Sequence, residues 1–481
     1  MVPTDVAAEI ELLRAMVGKY FPIYDVKVSA QSVQIFISPD TATMETSFNN
    51  LRKEMNEKKF IPFLSHSGGE YTITVVRKGE RNRMGVWANV ILLCITFVTT
   101  ILAGAVLWAA YINTTNFLTL DVIIMGAVFF AIPLMTILGI HELAHYVAAK
   151  RHGVASSLPF FIPSIPPLGT FGAFISIRDP IPNRKALVDI GISGPIAGLV
   201  VAIPVFIFGM ILTQQSPHYI TGGTGGLAGT MASLFSYFLS SFFPISGNVI
   251  VHPLAFAGWV GLFVTAINLL PAGQLDGGHV ARGLLGDNSR FLSYITVAAL
   301  FLMGLLVYSG WLLFAVLIFF LGLRHPAPLD DLSKLGAKRT VLGAIGIALL
   351  VVTFVPVPIY LEPNDYSFSM HINGADNATI APGHSADFLI WVNNTGNTNE
   401  TITVNLQAWE GLAAYVYTDH AITGNGTSQL VYELPYQGNS TVLVKAMVLN
   451  SALPITRTLP VYASSDQSFQ NHLNLTVTIS A

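Results

Sequence analysis

The chain has 481 residues, 52% of them hydrophobic and only 11% charged, with a mean hydropathy of +0.59. That balance excludes a soluble globular enzyme and fits a polytopic membrane protein with soluble parts. The net charge of −3 says little about partners, but no basic stripe of the kind that binds nucleic acid is present, and no nucleic-acid partner is expected. The single cysteine, Cys94, excludes an intrachain disulfide and a cysteine-based zinc site.

Residues 1–82 read as a small α+β unit. A helix around 4–17 precedes strand-like Val26–Ser29 and Ser32–Ile37, and Met44, Phe48, Leu51 and Met55 recur at helical spacing before Phe60–Leu64 and Tyr71–Val76. The order suits a ferredoxin-like domain, either for substrate docking or for stability and assembly. Met1 to Leu13 lacks the apolar stretch of a signal peptide, so this domain is expected in the cytoplasm.

Apolar runs long enough for a bilayer of about 30 Å fall near 87–110, 119–149, 186–213, 251–273, 291–308, 310–324 and 339–360. The expected domains are therefore a membrane core at 85–325 and a cytoplasmic loop with the last span at 326–360. Lys150, Arg151, Arg178, Arg184, Lys185, Arg282, Arg290, Arg324, Lys334, Lys338 and Arg339 all fall on one side of this seven-span topology. The loops on the other side, near 111–118 and 214–250, have no Lys or Arg, which places the basic side in the cytoplasm.

Residues 361–481 read as an external all-β domain. Ala386–Val392, Thr401–Leu406, Thr441–Val448, Thr458–Tyr462 and Leu473–Ile479 are short strands between turn-rich segments, in the manner of an immunoglobulin-like sandwich. Six N-x-S/T acceptor sites lie here, at Asn377, Asn393, Asn399, Asn425, Asn439 and Asn474, and Asn113 makes another in an outer loop. The domain reads as a spacer, gate or partner-binding module, or as a plain stabilising one. Together these features suggest a plasma membrane, with the N-terminus inside and the C-terminal domain outside.

The second apolar run contains His141-Glu142-Leu143-Ala144-His145. Histidines four apart share a helix face and can grip one metal ion, while Glu142 beside them can take a proton from water. Such groups are expensive in hydrocarbon, so an intramembrane set points to function. A catalytic zinc needs a third protein ligand and an open position. Asp276 supplies it, a carboxylate in a segment free of Lys and Arg from 186 to 281, within Asn268-Leu269-Leu270-Pro271-Ala272-Gly273-Gln274-Leu275-Asp276-Gly277-Gly278. Pro271, Gly273 and the Gly277-Gly278 pair are expected to break the helix there, which membrane depth tolerates only around a wet or protein-lined cavity. The 21 residues from Leu120 to His141 cover roughly 32 Å of helix, so His141 and Asp276 reach similar depths.

Among other polar residues, His152 and His325 read as solvated loop residues, and His252 and His218 as outer-surface ones. Asp189 reads as a helix N-cap. His279, directly after Gly278, reads as a packing residue or a support to the metal site.

These motifs resemble the site-2 protease family of intramembrane zinc metalloproteases over most of 85–325. His141-Glu142-x-x-His145 corresponds to its first motif, and the Asn268/Pro271/Leu275-Asp276-Gly277 run to its second. Ile192-Ser193-Gly194-Pro195-Ile196-Ala197-Gly198 looks like its Gly-Pro stretch. Pro159-Phe160-Phe161-Ile162-Pro163 and Gly169-Thr170-Phe171-Gly172-Ala173 look like the plant branch named for ethylene-dependent gravitropism deficiency and yellow-green leaves. The chain lacks a PDZ insert and adds the outer β domain.

The resemblance implies cleavage of a single-span substrate helix inside the lipid bilayer by one zinc ion on His141, His145 and Asp276, with Glu142 as general base. Asn268 either holds substrate or the oxyanion, or bonds a broken helix end. The Gly169–Ile177 segment, with Gly169, Phe171 and Gly172, reads as a membrane-dipping hairpin whose edge pairs with substrate, or as an ordinary loop. The competing class is a metal-binding scaffold or transporter without peptidase activity.

Overall fold

The computed structural model describes residues 4–29, 32–79, 86–216, 218–219, 241–243, 249–357, 366–396, 399–435, 438–465 and 469–480. The expected boundaries at 82–85 and 360–361, and most of the outer loop 214–250, lie outside them. The chain forms two compact units, one with the N-terminal and helical parts and one with the C-terminal strands.

The N-terminal part runs α1 (Thr4–Gly18), β1 (Ile23–Val28), β2 (Val33–Ile37), α2 (Met44–Glu57), β3 (Phe60–Ser67) and β4 (Glu70–Arg77). Phe48, Leu51 and Met55 turn one face of α2 into the core, as their spacing requires. The sheet order is β1-β2-β4-β3 with every pair antiparallel. The ferredoxin-like expectation is therefore corrected, because that fold runs β-α-β-β-α-β. Here both strand pairs are hairpins, and each is preceded by a helix.

A distant loop completes this core. Leu329 is buried in it, and its carbonyl accepts from the Leu64 amide at 2.7 Å. Leu329 and Asp330 in turn donate their amides to the Ile181 and Pro182 carbonyls, each at 2.9 Å. Lys78–Asp179 (2.7 Å) and Lys185–Glu45 ion pairs join the same surfaces.

The helical part contains α3 (Val86–Tyr111), α4 (Leu120–Gly126) and α5 (Ile132–Arg151), then β5 (Phe160–Pro163), β6 (Thr170–Phe174) and α6 (Arg184–Gln215). It continues with α7 (Pro253–Asn268), α8 (Asp276–Leu285), α9 (Ser289–Leu306), α10 (Gly310–Leu321) and α11 (Ala337–Thr353). A wide π turn at Ala127–Ala131 joins α4 to α5 just ahead of Pro133, whose missing N–H breaks regular helix pairing. Asn183 caps α6, its side chain accepting from the Ala186 amide at 2.9 Å.

Among the described residues, four stretches are long and apolar enough to cross a membrane: Val86–Tyr111, Leu120–Arg151, Arg184–Gln215 and Asp276–Leu306. Pro253–Asn268 and Gly310–Phe320 are shorter apolar helices. The chain is thus polytopic, with helices of unequal length. The run expected at 251–273 yields a 16-residue helix because its end is a loop. The run expected at 291–308 instead begins at Asp276.

The C-terminal part is all β. One sheet orders Asn377–Ile380, Gln470–Ile479, Thr456–Ser465, Glu400–Leu406, Gln429–Leu434 and Ala421–Thr423. The other orders Leu412–Tyr417, Asn439–Val448, Ser385–Asn394 and Phe368–Asn373. Alternate residues such as Phe388, Ile390 and Val392 from one sheet and Ile402 and Val404 from the other share one core.

Candidate metal centre

Helix α5 places His141 and His145 one turn apart on one buried face. Asp276 meets them from the first residue of α8, so the loop after α7 delivers it at a helix start. His141 Nε2, His145 Nε2 and Asp276 Oδ2 form a triangle with each side 3.1 Å. Both imidazoles are at least 95% buried. Donor atoms about 2.0–2.2 Å from a tetrahedral zinc stand roughly 3.3 Å from one another, so the triangle suits one such ion. The charges agree, since the carboxylates of Asp276 and Glu142 crowd this buried place and a cation offsets their desolvation.

The ring of His145 is oriented from behind. Its Nδ1–H donates to the Ile190 carbonyl at 2.8 Å, leaving Nε2 with its lone pair toward the triangle. Ser193 Oγ donates to the same carbonyl at 2.8 Å.

Helix α6 comes this close because it carries glycine where α5 carries histidine. A Cβ on Gly194 would lie 2.0 Å from His145 Nε2, and one on Gly198 would lie 3.1 Å from His141 Nδ1. Gly191 serves α8 likewise, with the Asp276 carbonyl 2.8 Å from where its Cβ would stand. Gly277 and Gly278 do not break a helix, contrary to expectation. They sit in the first turn of α8, where a Cβ on Gly277 would meet the Leu269 carbonyl at 2.0 Å.

Glu142 is buried, with its carboxylate 4.0 Å from His141 Nε2. A cavity of about 160 Å³ opens beside it, lined by Glu142, Phe174, Asn268, Gln274, Asp276 and His279 among others. Asn268, the last residue of α7, brings its amide nitrogen to 3.3 Å from His141 Nε2.

The Gly169–Ile177 segment does form a hairpin strand. β6 pairs antiparallel with β5 through Phe160↔Phe174, Phe161↔Ala173 and Ile162↔Gly172. Gly169 packs on α3, its carbonyl accepting from Thr99 Oγ1 at 2.7 Å. Phe171 is 75% exposed, while Ala173, Phe174, Ile175 and Ile177 reach the cavity wall.

Other polar residues lie elsewhere than expected. Asp189 is no N-cap: it lies inside α6 and pairs with Arg339 and His152. His152 and His325 are not free loop residues either, since the ring of His325 packs on His279 with centroids 4.3 Å apart. His252 is buried, caps α7 by accepting the Leu254 amide, and packs among Trp108, Tyr111 and Phe129. The side chain of His218 lies outside the description. Sequence reading passed over the pairing of Gly194 and Gly198 with the two histidines, although both pairs share the spacing of four.

A membrane-helix core with two histidines, an aspartate and a neighbouring glutamate holds the groups that a zinc hydrolase site requires. Residues 129–310 match Peptidase family M50. The chain is similar to "Probable zinc metalloprotease EGY1, chloroplastic" of Arabidopsis thaliana, with 34% identity over 47% of this chain and 43% of that protein. "Probable zinc metalloprotease EGY2, chloroplastic" and "Probable zinc metallopeptidase EGY3, chloroplastic" of the same plant are each 30% identical, over 48% and 46% of this chain and 42% and 41% of theirs. The chain thus spans less than half the length of these relatives. A solved family 123 glycoside hydrolase from Clostridium perfringens matches 24% of this chain and 27% of its own at a TM-score of 0.19 and 7% identity, which carries no argument.

Proposed function

We propose that this chain is an intramembrane zinc metalloprotease that hydrolyses peptide bonds within the spanning helices of single-span membrane proteins. The observation that carries the reading is the buried triangle of His141, His145 and Asp276 with Glu142 and a cavity at its side. Zinc in that triangle supplies Lewis acidity, acidifying water and polarising a carbonyl.

The chain's own residues do the rest. Glu142 accepts the proton of the attacking water and returns it to the departing amide nitrogen. The Asn268 amide, close to the ligand cluster, donates to the substrate carbonyl oxygen as charge develops there; such a donor is worth about 10²–10³ in rate. A helical substrate must unwind before its carbonyls are accessible. The edge of β6 from Gly169 and Phe171 through Gly172 receives the extended strand and leads it to the cavity.

The arrangement in the membrane follows from charge. The basic loops and N-terminal α+β domain lie in the cytoplasm, and the C-terminal domain, with an immunoglobulin-like sandwich, lies outside a plasma membrane crossed seven times. Lipid and a substrate helix are its partners. The short helices α7 and α10 complete the crossings with the loops that follow them.

Metal analysis and a cleavage assay on purified wild type and Glu142→Gln, with tagged single-span helices in liposomes, test the reading. One zinc in each protein with cleavage by wild type alone supports it. Zinc without cleavage of any helix favours a scaffold or transporter, and absence of zinc from both removes the metal assignment.

A further inference from the structure

An ion cluster lies immediately behind the support for His145. Arg339, in the first turn of α11, donates from Nε to Asp189 Oδ1 at 2.9 Å and from Nη2 to Oδ2 at 2.7 Å. His152 Nε2 reaches the same Oδ2 at 3.0 Å. Asp189 is followed by Ile190, whose carbonyl fixes His145 Nδ1. His145 lies on α5 and His152 is the residue that caps its C-terminus, so consecutive residues of α6 hold α5 at both points.

Apolar packing by Leu187, Ile190 and Ile192 seats the α6 turn that carries the Ile190 carbonyl, but such packing sets no angle. Gly191 and Gly194 have no side chains to wedge it, and Pro195 has no N–H to offer the Gly191 carbonyl. The fork of Arg339 on Asp189 is the strong directional contact at this turn, because a bidentate guanidinium–carboxylate pair sets angle as well as distance.

We propose that Asp189 and Arg339 are positioning residues for the metal: by fixing the α6 turn they hold the His145 ring in the tautomer and orientation that zinc binding needs. Neither lines the cavity, and neither is a catalytic residue. The inference rests on the metal reading of His141, His145 and Asp276.

The test is the zinc dissociation constant of the purified full chain, measured by competition with a chelator. Outer partners of this kind are worth about 10–100-fold in metal affinity. Arg339→Gln and Asp189→Asn should each weaken zinc binding by that factor, with Arg339→Lys between them and wild type. The double variant should be no worse than either single one, because both act through one pair. Arg290→Gln, which removes an outlying pair with Asp287 at 3.7 Å and a contact with the Phe291 ring, should bind zinc as wild type does. Equal thermal midpoints of the zinc-free proteins would show that misfolding is not the cause, and if Asp189→Asn does not fold, the two Arg339 variants carry the test. Zinc affinity within threefold of wild type in Arg339→Gln and Asp189→Asn would overturn the inference alone. A wild type that binds no zinc would overturn the metal reading and this inference with it.

Discussion

Gly194 on α6 faces His145 on α5 so closely that a Cβ there would stand 2.0 Å from the imidazole Nε2. No rotamer of alanine relieves that contact, since Cβ has none. Gly194→Ala should therefore displace the ligand ring, and metal analysis should find zinc lost along with cleavage. Gly139→Ala on α5 itself is the control, for its Cβ would meet only Phe161 at 4.0 Å. Full zinc occupancy in Gly194→Ala would show that α6 can retreat and that the close approach is not needed.

The exposed hairpin should matter to substrate and not to metal. Glycine at both Phe171 and Phe174 leaves the β5–β6 hydrogen bonds in place but removes one exposed apolar face and one that lines the cavity. Cleavage efficiency should fall by about 10- to 10²-fold through poorer placement of the bond, with zinc content unchanged. Equal cleavage would retire the hairpin as a substrate-pairing edge.

Leu329 belongs to the core of the N-terminal part although it lies more than 250 residues further along the chain. Leu329→Ala should weaken its attachment by about 2–4 kcal/mol, the ordinary loss for a buried leucine. The readout is hydrogen exchange at the Leu64 amide, which Leu329 accepts. Protection equal to wild type would mean that the loop is held by its other bonds.

Asp330, next to it, is 4% exposed, and burial raises its pKa above the ordinary carboxylate value. The docked loop then binds more protons than the released loop between the ordinary and the raised value. Docking is strongest at low pH, weakens as pH rises through that window, and stays weaker above it. Asp330→Asn keeps the oxygen that accepts from the Leu332 amide at 3.0 Å and removes the charge. Protection of the Leu64 amide should rise at neutral pH and lose its pH dependence across that window. Unchanged protection would show that the carboxylate is already compensated.

The chemistry of the site was legible in the chain because it is local. His141, Glu142 and His145 need only the pitch of one helix, and Asp276 stood out as a carboxylate in an apolar run. What could not be read depends on which helices touch. Asp189 and Arg339 are 150 positions apart and looked like a cap and a loop charge until α11 was placed against α6. The loop through Leu329 was invisible for the same reason, since a single apolar residue in a polar loop has no periodicity to announce its partner. The Gly277-Gly278 pair reads as a helix break because glycine marks both broken helices and crowded ones, and the Leu269 carbonyl beside it distinguishes the two.

Two helices whose notches and teeth recur with the same interval behave as meshed gears. Shifting α5 along α6 by a single residue would swing His141 and His145 off Gly198 and Gly194 and onto neighbours that have side chains. The mesh has no half-way setting, so sliding one helix past the other would break the close packing on both histidines at once. An opening to the site that leaves this contact intact would have to be built from elements outside the pair, with the two histidines kept in register.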